Sequence, residues 1–180
     1  MTNPSEIIQE PESLATVRFQ DCDPFGHLNN ARYIDYFLNA RQDHLARHYD
    51  LRTYERDRPM RASWVIKKTQ IAYLRPAQAM EEVLIRTRLI HFTENSLVME
   101  GLMLNRAGGS LKAIIWIEFV YISLTNGRPV NHPDDLMQLC RSIAVGEAYS
   151  PDGFNGRVEI ARRQLRRSSQ MAETASRSDT

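Results

Sequence analysis

The chain has 180 residues, of which 42% are hydrophobic and 25% charged, and its formal net charge is +1. This length predicts one domain with its own core, and the balance of 23 basic and 22 acidic residues gives no reason to expect nucleic acid or an anionic membrane as partner. Cys22 and Cys140 match no zinc or redox spacing, so we expect no metal site and a reducing, cytoplasmic setting.

The predicted domain organisation has three parts. Residues 1–13 are predicted to be a flexible N-terminal segment, 14–149 the folded domain, and 150–180 a polar, basic C-terminal tail. The first twelve residues lack the basic start, apolar core and cleavage site of a signal peptide. No apolar run reaches the roughly 18 residues that a membrane-spanning helix needs, so we expect a soluble protein.

The first strand and the first helix are predicted from a change of hydrophobic period near residue 30. Apolar residues alternate from Ala15 to Phe19, as in a strand with one buried face. The segment from Asn30 to about His48 is predicted to be a helix, with Asn29 or Asn30 as its N-cap. Its stripe has three- and four-residue spacing and consists of Tyr33, Ile34, Phe37, Leu38, Arg41 and Leu45.

Four further strands are predicted after a charged connection, Tyr49 to Arg61, that should be solvated. They run from Ala62 to the Arg75-Pro76 turn, and over about 83–89, 97–105 and 113–124, with turns at 93–96 and 106–110. The last strand is apolar on both faces, which is typical of a sheet centre or a subunit contact. With a short helix opened by Pro133, the pattern predicts an α+β domain with an antiparallel sheet.

Basic residues recur after Ser150 at spacings that permit a short amphipathic helix. They are Arg157, Arg162, Arg163, Arg166 and Arg167. We expect this tail to be solvated and mobile. The alternative is that its arginines meet a phosphate-rich ligand or a partner.

The joint between the first strand and the first helix carries the candidate chemistry. The first turn of a helix has backbone N–H groups without intrahelical partners, and the helix dipole adds partial positive charge there. Gly26 has no Cβ, so a ligand atom can approach the backbone closely. Asp23 lies three residues earlier, where its carboxylate could flank a carbonyl group bound by an amide. This arrangement suggests acyl transfer.

The segment from Asp21 to Tyr33 has the pattern Asp-x-Asp-Pro-x-Gly-His-x-Asn-Asn-x-x-Tyr. It resembles the signature of the hotdog-fold acyl-CoA thioesterases of the 4-hydroxybenzoyl-CoA thioesterase superfamily. Residues 71–77 resemble the family's strand that ends in an Arg-Pro turn, and the likeness extends over about 14–136. It implies a hotdog fold, in which an antiparallel sheet of about five strands wraps around a long central helix. It also implies a dimer or tetramer, with sheets paired edge to edge and sites at the subunit boundary.

The resemblance also implies roles for the residues of the joint. Asp23 would be the nucleophile or the general base, the Gly26 amide would bind the thioester oxygen, and His27 and Asn30 would orient the reactants. The alternative readings are structural, with Asp23 as a helix cap, Gly26 as a turn glycine and His27 as a hydrogen-bonding residue. Other branches of the family have an imidazole at the position of Asn30, whose amide cannot exchange protons.

The implied function is hydrolysis of an acyl thioester, carried by CoA or by a carrier protein, to the free acid and the thiol. Arg75, Lys67 and Lys68 are candidates for the CoA phosphates, and no separate cofactor is expected because CoA is part of the substrate. The alternative is a hotdog protein that binds acyl thioesters without cleaving them, as a sensor or carrier. A dehydratase on the same fold is a minor alternative.

Overall fold

The structure, a computed structural model, describes residues 7–52, 61–146 and 153–178, with side chains up to Leu165 in the last range. In chain order the elements are β1 (Glu12–Thr16), α1 (Tyr33–Tyr49), β2 (Ala62–Tyr73), β3 (Glu82–Phe92), β4 (Ser96–Asn105), β5 (Leu111–Ser123), α2 (Asp134–Ile143) and α3 (Gly153–Ser178). The strands form an antiparallel sheet in the order β1-β3-β4-β5-β2. The predicted α+β class with a five-stranded antiparallel sheet is confirmed.

The long helix α1 packs against one face of the sheet, which we call the inner face. Tyr33, Phe37 and Ala40 are buried there together with Ile115 of β5. A Cβ on Gly101 of β4 would lie 2.5 Å from Cδ1 of Phe37 and 2.8 Å from Cγ2 of Ile115. Glycine at this position therefore lets the helix approach the middle of the sheet closely.

The opposite, outer face of the sheet is covered by α3. Phe154, Val158 and Ala161 are buried in a cluster that includes Ile114 and Trp116 of β5. The alternating residues Ile115 and Ile117 of β5 belong to the core beneath α1. Because both faces of β5 are covered and β5 lies between β4 and β2, its continuous apolar pattern is explained.

The first turns of α3 correct the expectation of a solvated, mobile C-terminal tail. Arg157 is only 4% exposed and donates from Nε to Oε2 of the fully buried Glu100 at 2.8 Å. Arg88 pairs with the other oxygen of Glu100, and the Trp116 indole donates to Oε2 at 2.9 Å. The regularly spaced arginines alternate with an apolar stripe of α3, formed by Phe154, Val158 and Ala161, that covers the outer face of the sheet. Arg162 and Arg163 are exposed.

Several predicted boundaries also shift. The first strand is Glu12–Thr16 instead of the segment from Ala15 to Phe19, because Phe19 begins a 3-10 turn and its side chain is exposed. It thus begins within the segment predicted to be flexible, and Glu12 pairs with Arg86 of β3. The helix α1 begins at Tyr33, after a turn formed by residues 29–32.

Residues 1–6, the 53–60 part of the charged connection and the 147–152 junction lie outside the described residues. No described helix is both long and apolar enough to cross a membrane.

Candidate active site

A narrow loop between β1 and α1 holds most of the predicted site residues. Its two sides are joined by hydrogen bonds from the Asn29 amide to the Asp21 carbonyl at 2.9 Å and from the Asp23 amide to the His27 carbonyl at 2.8 Å. The loop is also bound to the segment before β3, where the Leu28 amide donates to the Ala77 carbonyl at 2.8 Å. Backbone pairing on two sides therefore fixes the loop at the start of α1.

The Asp23 carboxylate is oriented by its own loop. Oδ1 accepts hydrogen bonds from the amides of Phe25 at 2.9 Å and His27 at 3.1 Å. Oδ2 has no hydrogen bond with any described residue, and the side chain is half-buried. The structural role of a loop-capping aspartate accounts for Oδ1 only, so one oxygen remains available to a ligand.

Gly26 occupies the turn that follows Asp23. Its φ of +75° is a conformation that other residues rarely adopt, which explains the glycine. Its amide N–H donates to the Asp23 carbonyl oxygen at 3.0 Å. The amide that was predicted to bind a thioester oxygen thus has a partner within the turn in this conformation.

The beginning of α1 provides a backbone amide with no such partner. Oδ1 of Asn29 accepts the amide of Ala31 at 2.9 Å, so Asn29 caps the approach to the helix. Among the described residues, the exposed Asn30 amide has no hydrogen-bond acceptor, while its carbonyl accepts the Tyr73 hydroxyl at 2.8 Å. An unpartnered N–H at the positive end of a helix dipole is suited to bind a carbonyl or an anion.

Two tyrosines fix the loop against the helix and the sheet. Tyr33 is 2% exposed, its hydroxyl accepts the Ala77 amide at 3.2 Å, and its ring meets Tyr73 edge to face at 5.1 Å. Burial raises the pKa of the Tyr33 hydroxyl, which therefore stays neutral. Tyr36 donates from its hydroxyl to Oδ2 of Asp21 at 2.9 Å, so that Asp21 is used in holding the loop.

The other predicted site residues are His27, which belongs to this loop, and Arg75, Lys67 and Lys68, which belong to β2 or follow it. The His27 ring forms no hydrogen bond within the described residues, although its backbone is paired with Asp23. Arg75 lies two residues beyond Tyr73, the last residue of β2, and its Nη1 donates to Oγ of Ser110 at 2.9 Å.

Lys67 and Lys68 are exposed and lie further along β2. Nζ of Lys67 pairs with Oε1 of Glu118 at 2.7 Å. Lys68 stands opposite Glu118 in the sheet, on the outer face that also carries Trp116. The structure therefore brings Asp23, Gly26, His27 and Asn30 together but separates the two lysines from them.

A cavity of about 160 Å³ lies between α1, the inner face of the sheet and α2. Only three of its fifteen lining residues, Arg41, Gln42 and Ser63, are polar. One sign of this cavity was visible in the sequence, because Arg41 interrupts the apolar stripe of α1. The described residues contain no group of three or more histidine, cysteine or acidic side chains that could hold a metal ion.

Comparison with known proteins gives matches to one family. The family model of the thioesterase-like superfamily matches residues 17–139. Protein THEM6 of Danio rerio is 27% identical over 110 residues, which are 61% of this chain and 53% of that protein. The matching segment thus spans about half the length of this curated relative.

Two solved structures illustrate the similarity of fold. The probable thioesterase of Bartonella henselae has 24% identity and a TM-score of 0.61, and the match covers 69% of this chain and 99% of that chain. The DHNA-CoA thioesterase of Staphylococcus aureus has 15% identity and a TM-score of 0.66, and covers 74% and 89% of the two chains. At these identities the likeness shows the fold, and the predicted hotdog architecture is confirmed.

Proposed function

The chain belongs to the thioesterase-like superfamily, and we propose that it is an acyl-CoA thioesterase that hydrolyses an acyl thioester to a free acid and CoA. The observation that carries this proposal is the Asp23 carboxylate. Two loop amides hold Oδ1, while Oδ2 has no hydrogen bond with the described residues and is available for chemistry. A carboxylate held in this way needs little reorganisation before it reacts.

The thioester carbonyl would bind at the beginning of α1. The Asn30 amide supports this proposal because it has no acceptor among the described residues and lies at the positive end of the helix. We therefore assign the oxyanion contact to this amide in preference to that of Gly26, which already donates to Asp23. As negative charge develops on the carbonyl oxygen, a fixed donor of this kind stabilises the transition state.

Asp23 would then act in one of two ways. As a general base, it takes a proton from water while the water oxygen attacks the carbonyl carbon, and the C–S bond breaks to release the CoA thiolate. As a nucleophile, Oδ2 forms a bond to the carbonyl carbon as the C–S bond breaks, and water then hydrolyses the mixed anhydride. In both routes the side chains of His27 and Asn30 would orient the reactants.

Arg75 is our candidate for contact with the CoA phosphates. It lies at the end of β2 where Tyr73 meets Asn30, whereas Lys67 and Lys68 lie towards the outer face and Lys67 is paired with Glu118. A guanidinium group at the mouth of the site would bind phosphate through charge-assisted hydrogen bonds.

We also propose that two chains associate through β2. This strand has twelve residues, lies at an edge of the sheet, and exposes Val65, Ile66 and Tyr73. A long, apolar, unpaired edge favours pairing with a second strand. Antiparallel pairing about a two-fold axis would bring the Tyr73 end of β2, beside the candidate site, near the beginning of the partner's β2, where the cavity lies.

Replacement of Asp23 by asparagine tests the catalytic proposal. The asparagine Oδ1 can still accept the two loop amides, so the loop should keep its conformation while the charge and the nucleophile are lost. We expect kcat for thiol release from a panel of acyl-CoAs to fall at least about a hundredfold, with acyl-CoA binding retained.

The matched control is Asp43→Asn, which changes an exposed aspartate of α1 and should leave turnover unchanged. Wild-type turnover in Asp23→Asn would refute the role of Asp23. A wild-type chain that binds acyl-CoAs but releases no thiol would refute hydrolysis. That result would favour the non-catalytic carrier or sensor. The supporting observations for it are the His27 ring, which has no hydrogen bond with the described residues, and the non-titrating Asn30.

A further inference from the structure

Arg41 is a buried cation in the wall of the cavity. It lies on α1, is 8% exposed, and lines the cavity together with mainly apolar residues. Its Nη1 is buried and has no hydrogen-bond partner in the part of the chain that the structure describes. No carboxylate of the described residues forms an ion pair with it, and the lining contains no acidic residue.

The ionisable groups of the described residues that act on Arg41 are neutral. They are the Tyr49 hydroxyl, which also donates to the Ile8 carbonyl, the Cys140 thiol and the His44 ring. Burial raises the pKa of the first two groups and lowers that of the third. Burial lowers the pKa of Arg41, but a guanidinium starts from so high a value that it stays protonated. Within the described residues, the cavity wall therefore holds a permanent positive charge with no counter-charge.

The other deeply buried arginines of the described chain are compensated. Arg88 and Arg157 both bind the carboxylate of Glu100, at 2.6 Å and 2.8 Å. A buried charge without a partner is among the most unfavourable arrangements in a protein interior. Arg41 departs from the pattern that the same fold uses elsewhere, and it does so beside an open volume.

We propose that the cavity binds a small apolar acid whose carboxylate group is held by Arg41. The guanidinium fork matches a carboxylate in shape and charge, and Gln42 and Ser63 add polar groups to an otherwise apolar wall. A cavity of about 150 Å³ is known to accept benzene, so one of about 160 Å³ accommodates a body of about six carbon atoms.

This carboxylate can come from two sources with the same chemistry. One is a free acid, which would bind irrespective of any catalytic activity. The other is the far end of an acyl group that carries a second carboxylate. That second source rests on the proposed thioesterase function.

Binding of hexanoate and hexan-1-ol to the full chain, measured by calorimetry, tests the site. The two probes share a six-carbon chain and differ in the anionic group. We expect hexanoate to bind at least about tenfold more tightly than hexan-1-ol to the wild type. In Arg41→Met this preference should vanish, while Arg47→Met, the same change at an exposed position of α1, should retain it.

Equal affinity of the wild type for the two probes would overturn the proposal, and this comparison needs no variant that could fold poorly. A hexanoate preference that survives in folded Arg41→Met would also overturn it. Thiol release from adipoyl-CoA and hexanoyl-CoA distinguishes the sources. A lower KM for adipoyl-CoA that Arg41→Met abolishes supports the acyl-group carboxylate, and equal KM values with hexanoate binding support the free acid. If neither ester is cleaved, the catalytic proposal fails while hexanoate binding still tests the cavity.

Discussion

The buried histidine of α1 should make the fold sensitive to mild acid. His44 is fully buried, and its ring nitrogens lie 2.8 Å from Oγ1 of Thr87 and 2.9 Å from Oγ of Ser13. Burial, and next the positive charge of Arg41, lower the pKa of His44 from 6.5 to about 4. The ring is therefore neutral in the folded protein throughout the range from pH 7 to pH 5.

The sign of the effect follows from proton binding. Below pH 6.5 the unfolded chain takes up a proton on His44 that the folded chain does not bind, so acid favours unfolding. Stability present at neutral pH is lost as the pH falls from about 6.5 towards 4. The difference between the pKa of His44 in the unfolded chain and in the folded chain corresponds to about 3 kcal/mol of unfolding free energy. About 2 kcal/mol of this free energy is lost between pH 7 and pH 5.

Urea unfolding at pH 7 and pH 5 measures this loss. Other groups also titrate, so the informative quantity is the difference between the wild type and His44→Gln, which keeps hydrogen-bonding capacity but does not titrate. We expect the variant to be less stable at pH 7 by about 1–3 kcal/mol. Its loss of unfolding free energy on acidification should be smaller than that of the wild type by about 2 kcal/mol.

The control for instability itself is Ile114→Val, a core change of about 1 kcal/mol on the other side of the sheet. It should lose as much stability between pH 7 and pH 5 as the wild type. If His44→Gln also loses as much as the wild type, the assignment of the acid sensitivity to His44 is refuted.

Two further predictions concern the outer face and the sheet edge. Glu100→Gln should lower the free energy of unfolding in urea by about 3–5 kcal/mol, because it leaves the buried Arg157 without a counter-charge among the described residues and leaves Arg88 with Glu10 alone. Glu82→Gln, which removes the partner of the exposed Arg106, should change it by less than about 1 kcal/mol, and equal effects would contradict the reasoning. Sedimentation should give about twice the 20.8 kDa mass of one chain if β2 pairs with a second β2, and a mass of one chain would refute that pairing.

The elements that could be predicted from the sequence are those in which hydrophobic residues recur at the regular spacing of a strand or a helix. The alternation in β3 and the helical stripe of α1 each indicate one buried face, and both elements are found near the predicted positions. The motif from Asp21 to Tyr33 likewise indicated the joint that holds Asp23 and Asn30 in one loop.

What the sequence did not reveal depends on contacts between distant segments. Arg157 looked like a surface charge because its partner, Glu100, lies 57 positions earlier. The use of the Gly26 amide by Asp23 depends on the turn conformation, which residue types alone do not specify. Arg41 was visible in the stripe of α1, but only the cavity beside it shows that the cation has no counter-ion among the described residues.

The helix laid across the outer face also limits how copies of this chain can assemble. Two antiparallel sheets commonly stack through their exposed apolar faces, but here Phe154, Val158 and Ala161 already occupy that surface. Back-to-back stacking of sheets would require α3 to detach and Glu100 to lose one of its two cations. Any assembly larger than an edge-paired dimer that keeps α3 in place must therefore grow through the β1 edge, loops or helices.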